Sequence, residues 1–182
     1  MIHLTSLDDA RRLIAAGRVL AYPTEAVYGL GCDPFNQHAV ERVLALKQRR
    51  VTQGLILLIH DWEQLASLSL TVPEARLDAV RATWPGPVTW VFPKAKIIPR
   101  WLTGAHDSIA VRMSEHPVAR ALCLEGPVVS TSANITGQPP VRDNQMLRAQ
   151  FPQGIDAVVV GEVGAALSPS MIVDVLSGVR LR

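Results

Sequence analysis

The chain reads as a single α/β domain over residues 1–182, a twisted mixed sheet flanked by helices. Three observations predict this. Short runs rich in branched apolar residues, such as Leu55–Ile59, Val88–Phe92 and Ile109–Met113, have the length and turn boundaries of strands. Segments between them carry the three-and-four apolar spacing of amphipathic helices. No repeat, low-complexity tract or linker divides the sequence.

In order, Ser6-Leu7-Asp8-Asp9 opens a helix as a capping box, with Leu7, Ala10, Leu13 and Ile14 as its stripe and Gly17 as its stop. Arg18–Tyr22 reads as a strand broken at Pro23. Asn36 caps a second helix whose stripe is Val40, Val43, Leu44 and then Lys47. Further strands are expected at Leu55–Ile59, Val88–Phe92, Ile109–Met113, Val128–Ser130, Ala157–Val160, Met171–Val175 and Val179–Leu181. Helices are expected at Trp62–Ser69, Pro73–Thr83, Pro117–Leu124 and Asp143–Gln150, the two prolines suiting first-turn positions that need no N–H.

Apolar content of 48% with 19% charged residues excludes a disordered chain. No apolar run reaches the roughly 18 residues of a membrane span, and the N-terminus lacks a signal-peptide pattern, so a cytoplasmic protein is expected. Cys32 and Cys123 stand far apart and read as reduced, buried thiols. The net charge of +2 permits nucleic-acid contact without requiring it.

Two polar clusters point to anion chemistry. Lys47-Gln48-Arg49-Arg50 closes the second helix, and Ser130-Thr131-Ser132-Ala133-Asn134 follows Pro127-Val128-Val129. Cations in one, with hydroxyl and amide groups in the other, suit a multiply charged anion such as phosphate. Lys47 has two readings: a lysine lying along the core and complementing the helix dipole, or an anion ligand. The Ser/Asn cluster is either a ligand site beyond a strand's carboxyl end or a turn that satisfies its own backbone.

Tyr22-Pro23-Thr24-Glu25, followed by Gly29 and Gly31, reads as a small-ligand loop or as a turn capped by Thr24. Position 34 is proline, so Gly29-Leu30-Gly31 is not a dinucleotide loop, and no P-loop occurs. By strand alternation Arg112 shares a face with Ala110, opposite Val111 and Met113. An arginine so placed needs a carboxylate, from the protein or from a ligand. Ser168-Pro169-Ser170 adds hydroxyls before the strand that carries Asp174. His3, His38, His60, His106 and His116 lack metal-ligand spacing, and no G-x-S-x-G elbow occurs. Trp84, Trp90 and Trp101 read as packing residues.

In order along nearly the whole chain, five stretches resemble the YrdC/TsaC family of threonylcarbamoyl-AMP synthases, in its short form. They are Ala21 to Asp33, Leu46-Lys47-Gln48-Arg49, Trp84-Pro85-Gly86-Pro87-Val88-Thr89, Ala110-Val111-Arg112 and Ser130-Thr131-Ser132-Ala133-Asn134. Ser168-Pro169-Ser170-Met171-Ile172-Val173-Asp174 looks like the family's closing motif. The chain departs from the family's common pattern at Arg50 and Gly54, where proline is usual, and at Met171, where threonine is common.

The resemblance implies a YrdC-like sheet around a large concave, positive cavity. It implies that L-threonine, bicarbonate and ATP, with Mg²⁺, give threonylcarbamoyl-AMP and diphosphate. The product would supply threonylcarbamoyladenosine beside the anticodon of tRNA, with other tRNA-modification proteins completing the transfer. Carried over by position, Lys47 and Arg49 are expected to be catalytic. Lys47, Arg49, Ser132, Asn134, Ser170 and Arg182 are expected at ATP. Thr24, His60, Arg112 and Thr131 are expected at threonine, Arg112 pairing with its carboxylate. No metal ligand set is implied, since Mg²⁺ would ride on phosphate oxygens and water. The alternative is a module that binds tRNA or double-stranded RNA without catalysis of its own.

Overall fold

The computed structural model describes residues 2–166, 168 and 170–182. Among them a mixed sheet of nine strands runs in the order β1-β8-β2-β3-β7-β4-β6-β5-β9. The strands are β1 (Ile2–Leu4), β2 (Leu20–Pro23), β3 (Tyr28–Gly31), β4 (Ile56–Ile59), β5 (Val88–Pro93), β6 (Ser108–Met113), β7 (Val128–Ser132), β8 (Ala157–Val159) and β9 (Met171–Asp174). The helices are α1 (Leu7–Ala15), α2 (Gln37–Lys47), α3 (Trp62–Leu68), α4 (Glu74–Arg81), α5 (Arg100–Thr103), α6 (Pro117–Leu122) and α7 (Asn144–Gln150). Parallel pairs (β1 and β2 with β8, β4 with β6, β5 with β9) alternate with antiparallel ones around β3, β7 and β5.

The helix starts follow their caps. Ser6 accepts from Asp9 N, Asn36 from Ala39 N, Asp61 from Gln64 N and Asp143 from Met146 N. One face of the sheet carries the larger core, where Val43, Leu57, Val111 and Val129 pack together. The opposite face carries a smaller cluster in which Ala10, Ile14, Ala119 and Leu122 of α1 and α6 cover Leu20, Tyr22, Leu58 and Val128. Cys32 and Cys123 are buried free thiols, and burial raises both, Cys32 to about 12.

The structure differs from the sequence expectation in five places, one of them the short helix α5, where no helix was expected. Tyr28–Gly31 is a strand, not a ligand loop. Gly29 and Gly31 lower strand propensity, but the Tyr22 ring lies across them. A Cβ on Gly31 would meet Val129 O at 2.4 Å and the Tyr22 ring at 2.8 Å. Ser130, Thr131 and Ser132 continue β7, registered on Ile56, Leu30 and Gly29, so their hydroxyls belong to the sheet and not to a turn. Val179–Leu181 folds back on β9 through one bridge, Val173 to Arg180, and forms no full strand. Ile2–Leu4 adds a short parallel edge on β8 that its three residues gave no signal for.

Helix α2 closes at Gln48, which adopts the left-handed conformation (φ 50°, ψ 42°), while the N–H groups of Gln48 and Arg49 return to the Ala45 and Leu44 carbonyls. A side chain in that conformation is strained by about 1 kcal/mol, a strain glycine does not feel. Gln48→Gly is therefore expected to stabilise the fold by up to about 1 kcal/mol and raise the melting temperature by about 2–4 °C, read by calorimetry.

Candidate active site

On the face opposite the larger core, registered residues of neighbouring strands form a row: Ser130, Ile56, Ala110 and Val91. The row is one wall of a cavity of about 330 Å³. Arg112, two residues from Ala110, borders the same space while Val111 and Met113 are buried in the core, as strand alternation requires. Thr24, Arg49, Thr131, Ser132, Ser170 and Arg182 also line it. Its formally charged side chains are Arg49, Arg112, Arg182 and Glu25.

The left-handed turn at Gln48 sends its two neighbours to different places. Arg49 turns to the cavity, where Nη2 donates to Gly54 O at 3.0 Å and Nε is buried without an acceptor. Gly54 takes φ 66°, a conformation closed to proline. Arg182 donates from Nη2 to Ser170 O at 2.9 Å, and Ser170 Oγ lies 3.0 Å from Thr89 Oγ1. Neither Arg49 nor Arg182 has a carboxylate partner among the described residues. Burial lowers both guanidinium pKa values, and the neighbouring cation (Arg182 for Arg49, Arg112 for Arg182) lowers them further. Arginines that repel one another with no counter-ion nearby make a place for an anion.

Lys47, expected at the phosphates, lies behind this wall and not on it. Its side chain is 2% exposed, and its ammonium donates to the Ser132 carbonyl, to Asn134 O at 2.9 Å and to Asn134 Oδ1 at 3.2 Å. Three N–H groups meet three oxygens, which leaves none for a ligand. Ser132 Oγ gives its proton to Asn134 Oδ1 at 2.6 Å, and Asn134 Nδ2 donates to the Ile135 and Gln138 carbonyls. Asn134 thus organises the end of β7 from outside the cavity lining. His60 is also separated from the cavity. Its Nδ1 lies 3.3 Å from Arg120 O, beyond the end of β4 on the α6 side.

Arg112 finds the carboxylate that its sequence context called for. Glu25 Oε1 is 2.6 Å from Arg112 Nη2 and also accepts from Ser114 Oγ at 2.8 Å and Glu115 N at 3.1 Å. Burial alone would raise the Glu25 carboxyl, but Arg112 and these donors hold it below its ordinary value. Thr24 Oγ1 donates to Val27 O at 2.6 Å. The segment after β8 crosses over this turn, with Gly164 N on Thr24 O and Ala166 N on Glu25 O, both at 2.9 Å. A Cβ on Gly164 would meet Glu25 O at 2.6 Å, so only glycine lets the segment lie this close. That segment brings Ser168 to the cavity wall; Pro169 of the closing motif lies outside the described residues. Sequence reasoning gave no role to Glu25 or to Thr103, whose buried hydroxyl on the wall has no partner. Glu25 was signalled only indirectly, by the needs of Arg112.

The Sua5/YciO/YrdC family model, described as "Telomere recombination", matches residues 12–182. The chain belongs to this family. It is 45% identical over 179 residues to a threonylcarbamoyl-AMP synthase of Coxiella burnetii, covering 97% of this chain and 96% of that protein. It is 51% identical over 176 residues to one of Methylococcus capsulatus, covering 95% and 94%. Among solved structures, P. abyssi Sua5 complexed with L-threonine superposes with a TM-score of 0.87 at 33% identity, over 95% of this chain and 53% of that one. The chain thus spans about half of that Sua5. E. coli YciO superposes with a TM-score of 0.85 at 25% identity, over 100% and 92%.

Burial first, and then the Arg49 charge, push the Lys47 ammonium down to about 8 from 10.5. Between those values the unfolded chain binds the extra proton, so Lys47's contribution to stability rises with pH in that window and is flat below it. Relative to Lys47→Met, the wild-type chain should gain about 1–2 kcal/mol from pH 7.5 to 9.5 in urea unfolding. A constant difference would return the ammonium to its ordinary pKa.

Proposed function

We propose that this chain is a threonylcarbamoyl-AMP synthase, a nucleotidyltransferase that joins L-threonine, bicarbonate and ATP into threonylcarbamoyl-AMP with release of diphosphate. The observation that carries the reading is the convergence of Arg49, Arg182 and Ser170 with Thr24 and Arg112 on one cavity wall, from segments scattered over the sequence. The relatives that bear this name align over almost their whole length.

The amine of threonine and bicarbonate give a carbamate with loss of water, and a carbamate oxygen attacks the α-phosphorus of ATP as diphosphate leaves. No side-chain nucleophile is needed. What the chain supplies is position and charge. Arg49 and Arg182 meet the triphosphate, with Arg49 Nε as a donor that awaits an acceptor. Ser170, held by Thr89 and Arg182, presents its hydroxyl beside them. Thr24 and Arg112 hold the amino acid, with Thr131 on the adjoining wall. Lys47 and Asn134 act from behind by fixing the end of β7, where Ser132 lies.

Mg²⁺ enters with the triphosphate. No cluster of three or more His, Cys, Asp or Glu side chains suited to a metal occurs among the described residues, and the carboxylate on the wall, Glu25, is paired with Arg112. Phosphate oxygens and water would complete its coordination. The product passes to partner proteins that transfer the threonylcarbamoyl group to tRNA in the cytoplasm.

Incubation with ATP, Mg²⁺, bicarbonate and L-threonine should yield diphosphate and an acyl-adenylate of matching mass. Arg49→Ala should lower threonine-dependent diphosphate release at least about tenfold, or ~1.4 kcal/mol, with little change in melting temperature. Lys47→Ala should lower both, because it leaves the Ser132 and Asn134 carbonyls buried without a donor. Near-normal turnover in Arg49→Ala would remove that residue from the phosphate site.

A further inference from the structure

The hydrogen bonds around Thr24, Glu25 and Arg112 leave a definite set of unused donors and acceptors on the cavity wall. Thr24 Oγ1 has one proton and gives it to Val27 O, so toward a ligand this hydroxyl can only accept. Glu25 concentrates its bonds on one oxygen: Arg112, Ser114 and Glu115 N all meet Oε1. Its other oxygen, Oε2, is buried without a partner, although the side chain is 8% exposed and ionised. A buried carboxylate oxygen with no donor is costly, which marks a place where a donor binds. Arg112 commits Nε to Gly86 O at 3.0 Å and Nη2 to Glu25. Nη1 makes no bond to the described residues and keeps two donors.

The wall therefore offers two acceptors, one of them charged, next to a free guanidinium edge. An α-amino acid presents the complementary pattern, an ammonium and a carboxylate on one carbon. We propose that Glu25 Oε2 and Thr24 Oγ1 receive the ammonium of the amino-acid substrate while Arg112 Nη1 receives its carboxylate, so that the buried Glu25–Arg112 pair recognises a zwitterion. This rests on the reading of the chain as a threonine-using enzyme and adds a ligand residue, Glu25, and an orientation to it. The bound ammonium gives two N–H groups to these oxygens; carbamate formation then removes two of its three protons, one released to free the nitrogen lone pair and one leaving with a bicarbonate oxygen as water, so a single N–H stays on the wall.

The test is calorimetric binding to the full-length chain of L-threonine and of 3-hydroxybutyrate, which is threonine without its amine. The wild-type chain should bind threonine at least tenfold more tightly than 3-hydroxybutyrate. In Glu25→Gln threonine should weaken at least tenfold while 3-hydroxybutyrate changes less than threefold, so the preference collapses. If Glu25 serves only to hold Arg112 in place, both ligands weaken together and the preference survives; that result overturns the proposal. Should Glu25→Gln not fold, the wild-type preference still decides, since equal binding of the two ligands overturns the proposal without any variant. Thr24→Val should reduce threonine binding at least threefold and leave 3-hydroxybutyrate unchanged. A wild-type chain that binds threonine without this preference refutes only the zwitterion assignment. One that neither binds threonine nor releases diphosphate refutes the function on which it rests.

Discussion

Glu25 and Arg112 form an ion pair almost wholly removed from water, between the turn after β2 and the C-terminal end of β6. Taking two such charges out of water costs several kcal/mol for each, and a hydrophobic pair of similar size would often stabilise a fold as well or better. Stability alone does not account for its presence. What the pair fixes is geometry: it ties the Thr24–Glu25 turn to the sheet, and Ser114 Oγ and Glu115 N, just past the same end of β6, donate to the same oxygen. The segment after β8 then lies on the Thr24 and Glu25 carbonyls. Three stretches of chain that meet at the Thr24–Glu25 turn define one end of the cavity.

A second buried charge organises the other end. The Lys47 ammonium joins the last turn of α2 to the end of β7, and Thr136 N and Oγ1 both return to Lys47 O at 2.8 Å. Helix and strand are therefore locked in both directions. Because Gln48 turns left-handed directly afterwards, Arg49 emerges on the cavity side while Lys47 stays inside. Two cations one residue apart thus do different work, one inside the scaffold and one on the wall.

Much of this was legible in the residues. The caps at Ser6 and Asn36 and the stripes behind them located α1 and α2, because capping and burial act over four residues and are written locally. Alternation placed Arg112 on the Ala110 face for the same reason. The ordered motifs put Thr24 and Arg49 in one set before any coordinates. The sequence was silent where the deciding partner lies far along the chain. Gly29 and Gly31 look like loop residues until the Tyr22 ring is known to cross them. Ser130-Thr131-Ser132 looks like a turn until β3 and β4 are seen on either side. The sequence left two readings of Lys47 open and could not show that the Ser132 and Asn134 carbonyls receive its ammonium, nor that the His60 ring lies against Arg120 O.

The position of β7 bears on how this sheet is assembled. It is the strand that joins β3 on one side to β4 on the other, so the half that contains β2 and β3 and the half that contains β4, β6 and β5 touch within the sheet only through it. Residues 128–132 follow β2, β3, β4, β5 and β6 in the chain, and only β8 and β9, farther out in the sheet, come later. Until they arrive, a nascent polypeptide carries two open strand edges, Tyr28–Gly31 and Ile56–Ile59, each a template for pairing with another molecule. The closing contacts span long sequence distances, which slows folding and prolongs that exposure. The same short strand that brings the hydroxyls of Ser130, Thr131 and Ser132 to the cavity is thereby the keystone of the sheet.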